Sequence, residues 1–186
     1  LTLVLLRQAI VMKILYLLRH AHSEPREHTL SDFDRPLDET GQKEAEAVAQ
    51  YLAKKAITFD FVMCSAALRT QETLESLRPF IGTSAIEISE NFYNNTDDQI
   101  LKYLKKIPDE KQKVLYIGHN PGITFAALKL TNIFPEVLKE GVTPATLIGF
   151  NLSLDKWADL EWWKGEIIEI FQPPLPVLKS RAPEES

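Results

Sequence analysis

The sequence predicts an α/β protein, a three-layer α/β/α sandwich built around a mostly parallel central sheet. Two observations carry that reading. Short apolar runs alternate with amphipathic segments of helical period between residues 13 and 131, and a strand–helix–strand–helix order builds a parallel sheet covered on both faces. The composition is that of an ordinary globular chain, with 186 residues, 45% hydrophobic and 25% charged, enough for one well-buried core.

Each element follows from its pattern. Residues 13–18, KILYLL, read as a buried strand. Residues 24–40 are polar, carry Pro25 and Pro36, and read as a loop. Over 41–55, Ala45, Val48, Ala49 and Leu52 recur at helical spacing on one face. FDFVMC at 59–64 is a second strand, and 66–80 a helix with Leu74 and Leu77 inward and Pro79 near its stop. Residues 84–88 suit a short strand, and 97–107 a helix through Ile100, Leu101, Leu104 and Ile107. KVLYIG at 113–118 is a third clear strand. A helix follows, with Pro121 in its first turn, where a missing N–H costs little. Residues 146–152 and 166–171 are late strands around a connection rich in tryptophan, Trp157, Trp162 and Trp163, expected to cover the core.

Charge and cysteine content narrow the partners. The net charge of −5, from 26 acidic and 21 basic residues, argues against a nucleic-acid partner, which calls for a basic surplus. One cysteine, Cys64, cannot form an internal disulfide; it reads as strand packing, and a reducing cytoplasm is the simplest compartment. The apolar start from Leu1 to Leu18 is interrupted by Arg7, Gln8 and Lys13, so it is a poor membrane span and lacks the build of a cleavable signal. Residues 1–11 are read as an extension upstream of a domain start at Met12, a targeting or docking role being the other reading. The domain covers 12–172, and a Pro-rich tail covers 173–186.

The chemistry lies at strand ends, where ligands of such sheets sit. The first strand ends in Arg19-His20-Ala21-His22, the second in Cys64-Ser65 with Arg69 one helical turn on, and the third in Gly118-His119-Asn120-Pro121-Gly122. Two arginines and two histidines brought to one edge repel one another unless an anion joins them. Arginine offers a planar fork matched to two phosphate oxygens. The Asn120-Pro121-Gly122 turn opens a helix, whose free N–H groups favour an anion. A neutral histidine attacks phosphorus and forms a phosphohistidine, and a protonated one stabilises charge on the equatorial oxygens. His20 takes the first role, His119 the second, and Arg19 and Arg69 clamp the phosphate.

LLRHAHS, SAALRTQET and YIGHNPG, in this order, resemble the motifs of the histidine phosphatase superfamily, the phosphoglycerate mutase-like fold. LSDFDRPLDETGQKEA at 30–45 is similar to the SixA-type branch of small phosphohistidine phosphatases. The resemblance implies that His20 is the phosphorylated nucleophile, that Arg19, Arg69 and His119 complete the phosphate pocket, and that no metal or cofactor is needed. It also makes Arg35 an accessory pocket or loop-anchoring residue. Ser65, at the end of the second strand, and Asn120, in the turn that opens a helix, are read from their places as substrate-binding residues.

Plainer readings stand beside these. Ser65 suits a helix cap, and Arg26 and Arg35 suit partners to Asp32, Asp34 or Glu24. His22 lies either on the face of His20 or exposed on a turning loop, and His28 is a loop histidine. His20, His22 and His119 with Asp32 and Asp34 also spell a metal-dependent hydrolase, but two arginines in the same crevice oppose a cation. A phosphate or phosphoprotein binding module is the reading from another class, and an intact His20 argues against it.

Between Arg69 and His119 no carboxylate stands out as a proton donor. Glu90 and Asp97 are the candidates, and Asp97 equally suits the first turn of a helix. An alkoxide leaving group needs such an acid, whereas imidazole, with a conjugate-acid pKa of ~6.5, does not. The expected substrate is therefore phosphohistidine on a signalling or phosphotransfer protein, and the alternative is a small phosphate monoester; neither involves nucleic acid or membrane.

Overall fold

The computed structural model describes residues 12–174 apart from residues 30, 83, 84, 132 and 134. The proposed extension 1–11 and the tail beyond residue 174 lie outside the described residues. Six strands form one sheet in the order β3-β2-β4-β1-β5-β6. β1 (Lys13–Arg19), β2 (Phe61–Ser65), β3 (Ala85–Ser89) and β4 (Lys113–Gly118) are mutually parallel. β5 (Leu147–Leu152) pairs antiparallel with β1, and β6 (Gly165–Phe171) pairs antiparallel with β5.

Strand alternation splits the core in two. Leu15, Leu17, Val114 and Tyr116 point to one face, packed with Ile100 and Leu104 of α3 (Asp97–Leu104) and Ile123 and Ala126 of α4 (Gly122–Leu130). Tyr16, Leu18, Leu115 and Ile117 point to the other, packed with Ala45, Val48 and Leu52 of α1 (Glu39–Lys54) and Leu74 and Leu77 of α2 (Leu68–Ile81). These central strands are apolar at consecutive positions because both faces are covered.

Element ends depart from the pattern where local chemistry decides them. α1 starts two residues earlier than expected, because Asp38 caps it through Oδ1, accepting from Gly41 N–H at 2.7 Å. α2 starts two residues later, Ala66 and Ala67 being used in the turn off β2. α3 opens on a full capping box between Thr96 and Gln99. It ends at Leu104, and Ile107 is buried from a following turn. Pro121 precedes α4 as its N-cap and is not its first helical residue. Trp157 is fully buried, its indole N–H bonded to the Lys111 carbonyl at 2.7 Å. Trp163 departs from the core-covering expectation and is 61% exposed. Cys64 is fully buried, and desolvation pushes its thiol up to about 12, consistent with packing.

Candidate active site

Sheet register brings the predicted residues level with one another. Leu18 pairs with Ile117, which pairs with Cys64 on its other side. One step on, Arg19 pairs with Gly118, and the His20 N–H donates to the Gly118 carbonyl at 3.1 Å. His20 and His119 therefore leave adjacent parallel strands at the same height, with ring centroids 5.2 Å apart.

The bonds of each ring assign its protons. His20 Nδ1 lies 2.7 Å from the Ala21 carbonyl, which only accepts, so Nδ1 carries the hydrogen. Nε2 is then a lone pair, and it accepts from Arg69 Nε at 3.3 Å. Burial, then the neighbouring His119, Arg69 and Arg19, push the His20 pKa well below its ordinary value despite the Ala21 bond. The ring is neutral, the state in which an imidazole nitrogen can act as a nucleophile. His119 Nδ1 accepts from Arg69 Nη2 at 3.2 Å, so its proton is on Nε2, which donates to Ser65 Oγ at 2.7 Å. Burial and then Arg69 take the His119 pKa down to about 3. Two guanidinium charges and desolvation outweigh the attraction of Asp32 and favour a neutral ring with these neighbours alone.

Arg69 is 3% exposed and spends both edges of its guanidinium. The Nε/Nη2 edge faces the two histidines. The Nη1/Nη2 edge faces Asp32, with Nη1 donating to the Asp32 carbonyl and Nη2 to Oδ2 at 3.1 Å. Arg19 donates Nη1 to the Val142 carbonyl at 2.8 Å, and its buried Nε has no partner among the described residues. A buried charged donor without an acceptor is costly, and an oxyanion in this crevice would supply one.

Comparison with known proteins gives the family. The family model described as "Histidine phosphatase superfamily (branch 1)" matches residues 15–95, a span that holds His20, Asp32 and Arg69 and stops before His119. An uncharacterized protein of Mycobacterium leprae is 34% identical over 119 residues, covering 61% of this chain and 71% of that protein.

The chain belongs to the histidine phosphatase superfamily.

An uncharacterized chloroplastic protein of Arabidopsis thaliana is 33% identical over 132 residues, covering 65% of this chain and 60% of that protein, so the match spans less than two thirds of that relative. Among solved structures, a candidate phosphohistidine phosphatase SixA from Nakamurella multipartitia is similar at 26% identity and a TM-score of 0.75, covering 87% of this chain and 96% of that one.

In this histidine phosphatase chain the other predicted residues take varied places. Ser65 is fully buried and holds His119, besides accepting from the Ala67 N–H at 3.4 Å. Asn120 is engaged by the fold: Nδ2 donates to the Val142 carbonyl at 2.8 Å and Oδ1 accepts from Thr124 Oγ1 at 2.9 Å. It shares that carbonyl with Arg19. Arg35 sits one residue contact back from Arg69, with Nη1 on Asp32 Oδ1 at 2.8 Å, Nε on the Glu24 carbonyl and Nη2 on Ser23 Oγ. That is the loop-anchoring arrangement. His22 is the exposed alternative, its half-exposed ring turned to Glu44 at 3.1 Å, and His28 pairs with Glu24 on the surface.

Three residues escaped sequence reasoning. Glu44, buried in α1, accepts from the His22 backbone N–H at 2.9 Å and from its ring. Gly41, beside it, lets α1 approach so closely that a Cβ there would meet the His22 carbonyl oxygen at 1.8 Å. Tyr93 donates to Asp32 Oδ2 at 2.6 Å, and its ring lies against His119 and over Arg69. Glu44 follows Gly41 by three residues, a signal readable once helix and strand end are known to touch; Tyr93 lies in NFYNNT, with no periodicity to mark it.

The two candidate acids are placed elsewhere. Asp97 is paired with Lys129 at 2.5 Å between α3 and α4, and Glu90 is exposed on a 3-10 turn. Among the described residues no group of three or more His, Cys, Asp or Glu is placed to hold a metal ion; His22 faces Glu44, and Asp32 faces two arginines. No helix among them is long and apolar enough to cross a membrane.

The depressed histidines make stability depend on pH. An unfolded histidine binds a proton below ~6.5, while folded His119 resists one until about 3. The unfolded state thus binds more protons across that window, and stability falls as pH drops from 6.5 toward 3. Asp32, also held low, adds a loss that begins as pH falls into the ordinary carboxylate range and continues below it. Urea unfolding between pH 6.5 and 4.5 is expected to lose stability in wild type, with a shallower slope in His119→Asn.

Proposed function

We propose that the protein is a metal-independent phosphatase that works through a covalent phosphohistidine on His20, with phosphohistidine of a signalling or phosphotransfer protein as its substrate. The observation that carries this is the His20 ring, neutral, fixed through Nδ1 to Ala21, with its Nε2 lone pair facing the Arg69 guanidinium. Nε2 attacks phosphorus, the bond to the substrate's nitrogen breaks, and the phosphoryl group passes to His20. Water then attacks the phosphoenzyme, releasing inorganic phosphate and restoring Nε2. The Nε/Nη2 edge of Arg69 and the unpaired Nε of Arg19 stabilise the equatorial oxygens of a loose transition state. The phosphoryl dianion offsets the guanidinium charges around His119 and raises its proton affinity, so that His119 takes up a proton as the substrate binds.

The substrate class rests on the acids. Asp32 is the carboxylate that reaches Arg69, and a hydrogen bond from Tyr93 together with Arg35 and Arg69 holds it far below the usual carboxylate range. An ionised Asp32 has no proton to give. An imidazole leaving group, protonated from solvent on its distal nitrogen, departs neutral and needs none. Buried Cys64 is unpaired and suits a reducing compartment such as the cytoplasm.

The test mixes the protein, in EDTA, with a phosphohistidine-bearing phosphotransfer domain and, separately, with alkyl phosphate monoesters. Faster phosphate release from the phosphohistidine domain is expected. Faster cleavage of alkyl esters overturns the substrate assignment in favour of a small monoester, and no release from either leaves a phosphate-binding module.

A further inference from the structure

We infer that Asp32 is a positioning residue, a clamp that aims the Nε/Nη2 edge of Arg69 at the phosphoryl group; the inference rests on the phosphatase reading above. A guanidinium has five N–H donors in a fixed plane. Two of its edges can each hold a pair of acceptors side by side. In Arg69 the Nη1/Nη2 edge is closed by one residue, Asp32, which contributes its backbone carbonyl and Oδ2. The plane of the group is then determined, and the Nε/Nη2 edge has to face His20 Nε2 and His119 Nδ1, at 3.3 and 3.2 Å. A phosphoryl group on Nε2 would meet that edge with two parallel N–H bonds.

The clamp is itself held. Arg35 Nη1 and the Tyr93 hydroxyl bond the Asp32 carboxylate at 2.8 and 2.6 Å, and Arg35 is tied to the Glu24 carbonyl and Ser23 Oγ, just past the strand that carries His20. The Phe33 carbonyl accepts the Leu68 N–H at 3.0 Å, which fixes the 32–33 backbone to the residue before Arg69. Ser23, Glu24 and residues 32–35 thus set an orientation in α2. Asp32 touches no reacting atom in this scheme; it acts through Arg69, and where the fork is absent Asp32 has nothing to aim.

A double-mutant cycle on the full chain separates this role from a general one. Binding of orthovanadate, a five-coordinate mimic, and of inorganic phosphate is measured by calorimetry in wild type, Asp32→Asn, Arg69→Lys and the double variant, with melting curves alongside. In the wild-type background Asp32→Asn is expected to weaken vanadate by about 10-fold and phosphate by about 3-fold or less, and in the Arg69→Lys background to change vanadate by less than about 2-fold. Tyr93→Phe, which leaves Asp32 in place with one hold fewer, is expected to weaken vanadate in the same direction. Equal losses in both backgrounds, no loss in either, or a wild type that binds no vanadate overturns the clamp. Vanadate binding with the expected coupling, in a protein that releases no phosphate from any substrate, would instead sink the phosphatase reading and leave the clamp standing.

Discussion

His20→Ala is expected to lower phosphate release by at least about 10³-fold, leaving only background hydrolysis. In the proposed mechanism the side chain supplies the attacking atom, and no neighbour is placed to replace it. His119 lies 5.2 Å away between ring centroids, but its Nδ1 is turned to Arg69 and its Nε2 to Ser65. Ser65 is fully buried beneath it. The fold loses little, because the His20 ring makes a single bond to its own neighbour Ala21 besides the long one to Arg69. Removing a neutral ring also leaves Arg19 and Arg69 in place, so inorganic phosphate still binds. Steady-state assays with a phosphohistidine domain, paired with phosphate titrations, check both parts. Retained turnover in His20→Ala would mean that water attacks the substrate directly.

Arg69→Ala is expected to lower kcat by about 10²–10³-fold, the usual cost of removing a main oxyanion donor. Arg69→Lys should recover little of it, since an ammonium restores charge without a fork. A second readout follows from electrostatics. The guanidinium is among the charges that depress both histidines. Without it, protonated His20 becomes less unfavourable, its pKa rises toward the ordinary value, and the nucleophile is lost at higher pH. The acid limb of kcat/KM should therefore move upward in Arg69→Ala. A loss of rate with an unmoved acid limb would assign Arg69 to structure alone.

His20 and Arg69 were legible in the sequence, Arg69 by its place about one helical turn past the second strand. The middle of a buried parallel strand is apolar on both faces, so an arginine or a histidine just beyond it breaks the pattern; Arg19, His20 and His119 each do so. Parallel register then carries them to one level without further information. Helix faces were equally legible, as Ala45, Val48 and Leu52 show. Boundaries were less so, because caps such as Asp38 and the turn at Ala66-Ala67 act locally and leave hydrophobic period unchanged. Asp32 and Tyr93 lie 61 residues apart, and only the folded chain shows that both meet Arg69. The charge of His119 was not legible for a related reason: burial and two neighbouring guanidinium groups lower its proton affinity, and only the folded chain shows that they surround it.

The covalent intermediate of the proposed mechanism is a phosphoryl group on His20 Nε2. It is tested by mixing wild-type protein with a phosphohistidine-bearing domain in EDTA, quenching within the first turnover in base, where the N–P bond survives, and locating added phosphate by peptide mass spectrometry. Phosphate is expected on the peptide that contains His20, acid-labile and absent from His20→Ala. Phosphate release at the full wild-type rate with no adduct on that peptide, or an adduct on another residue, would contradict it.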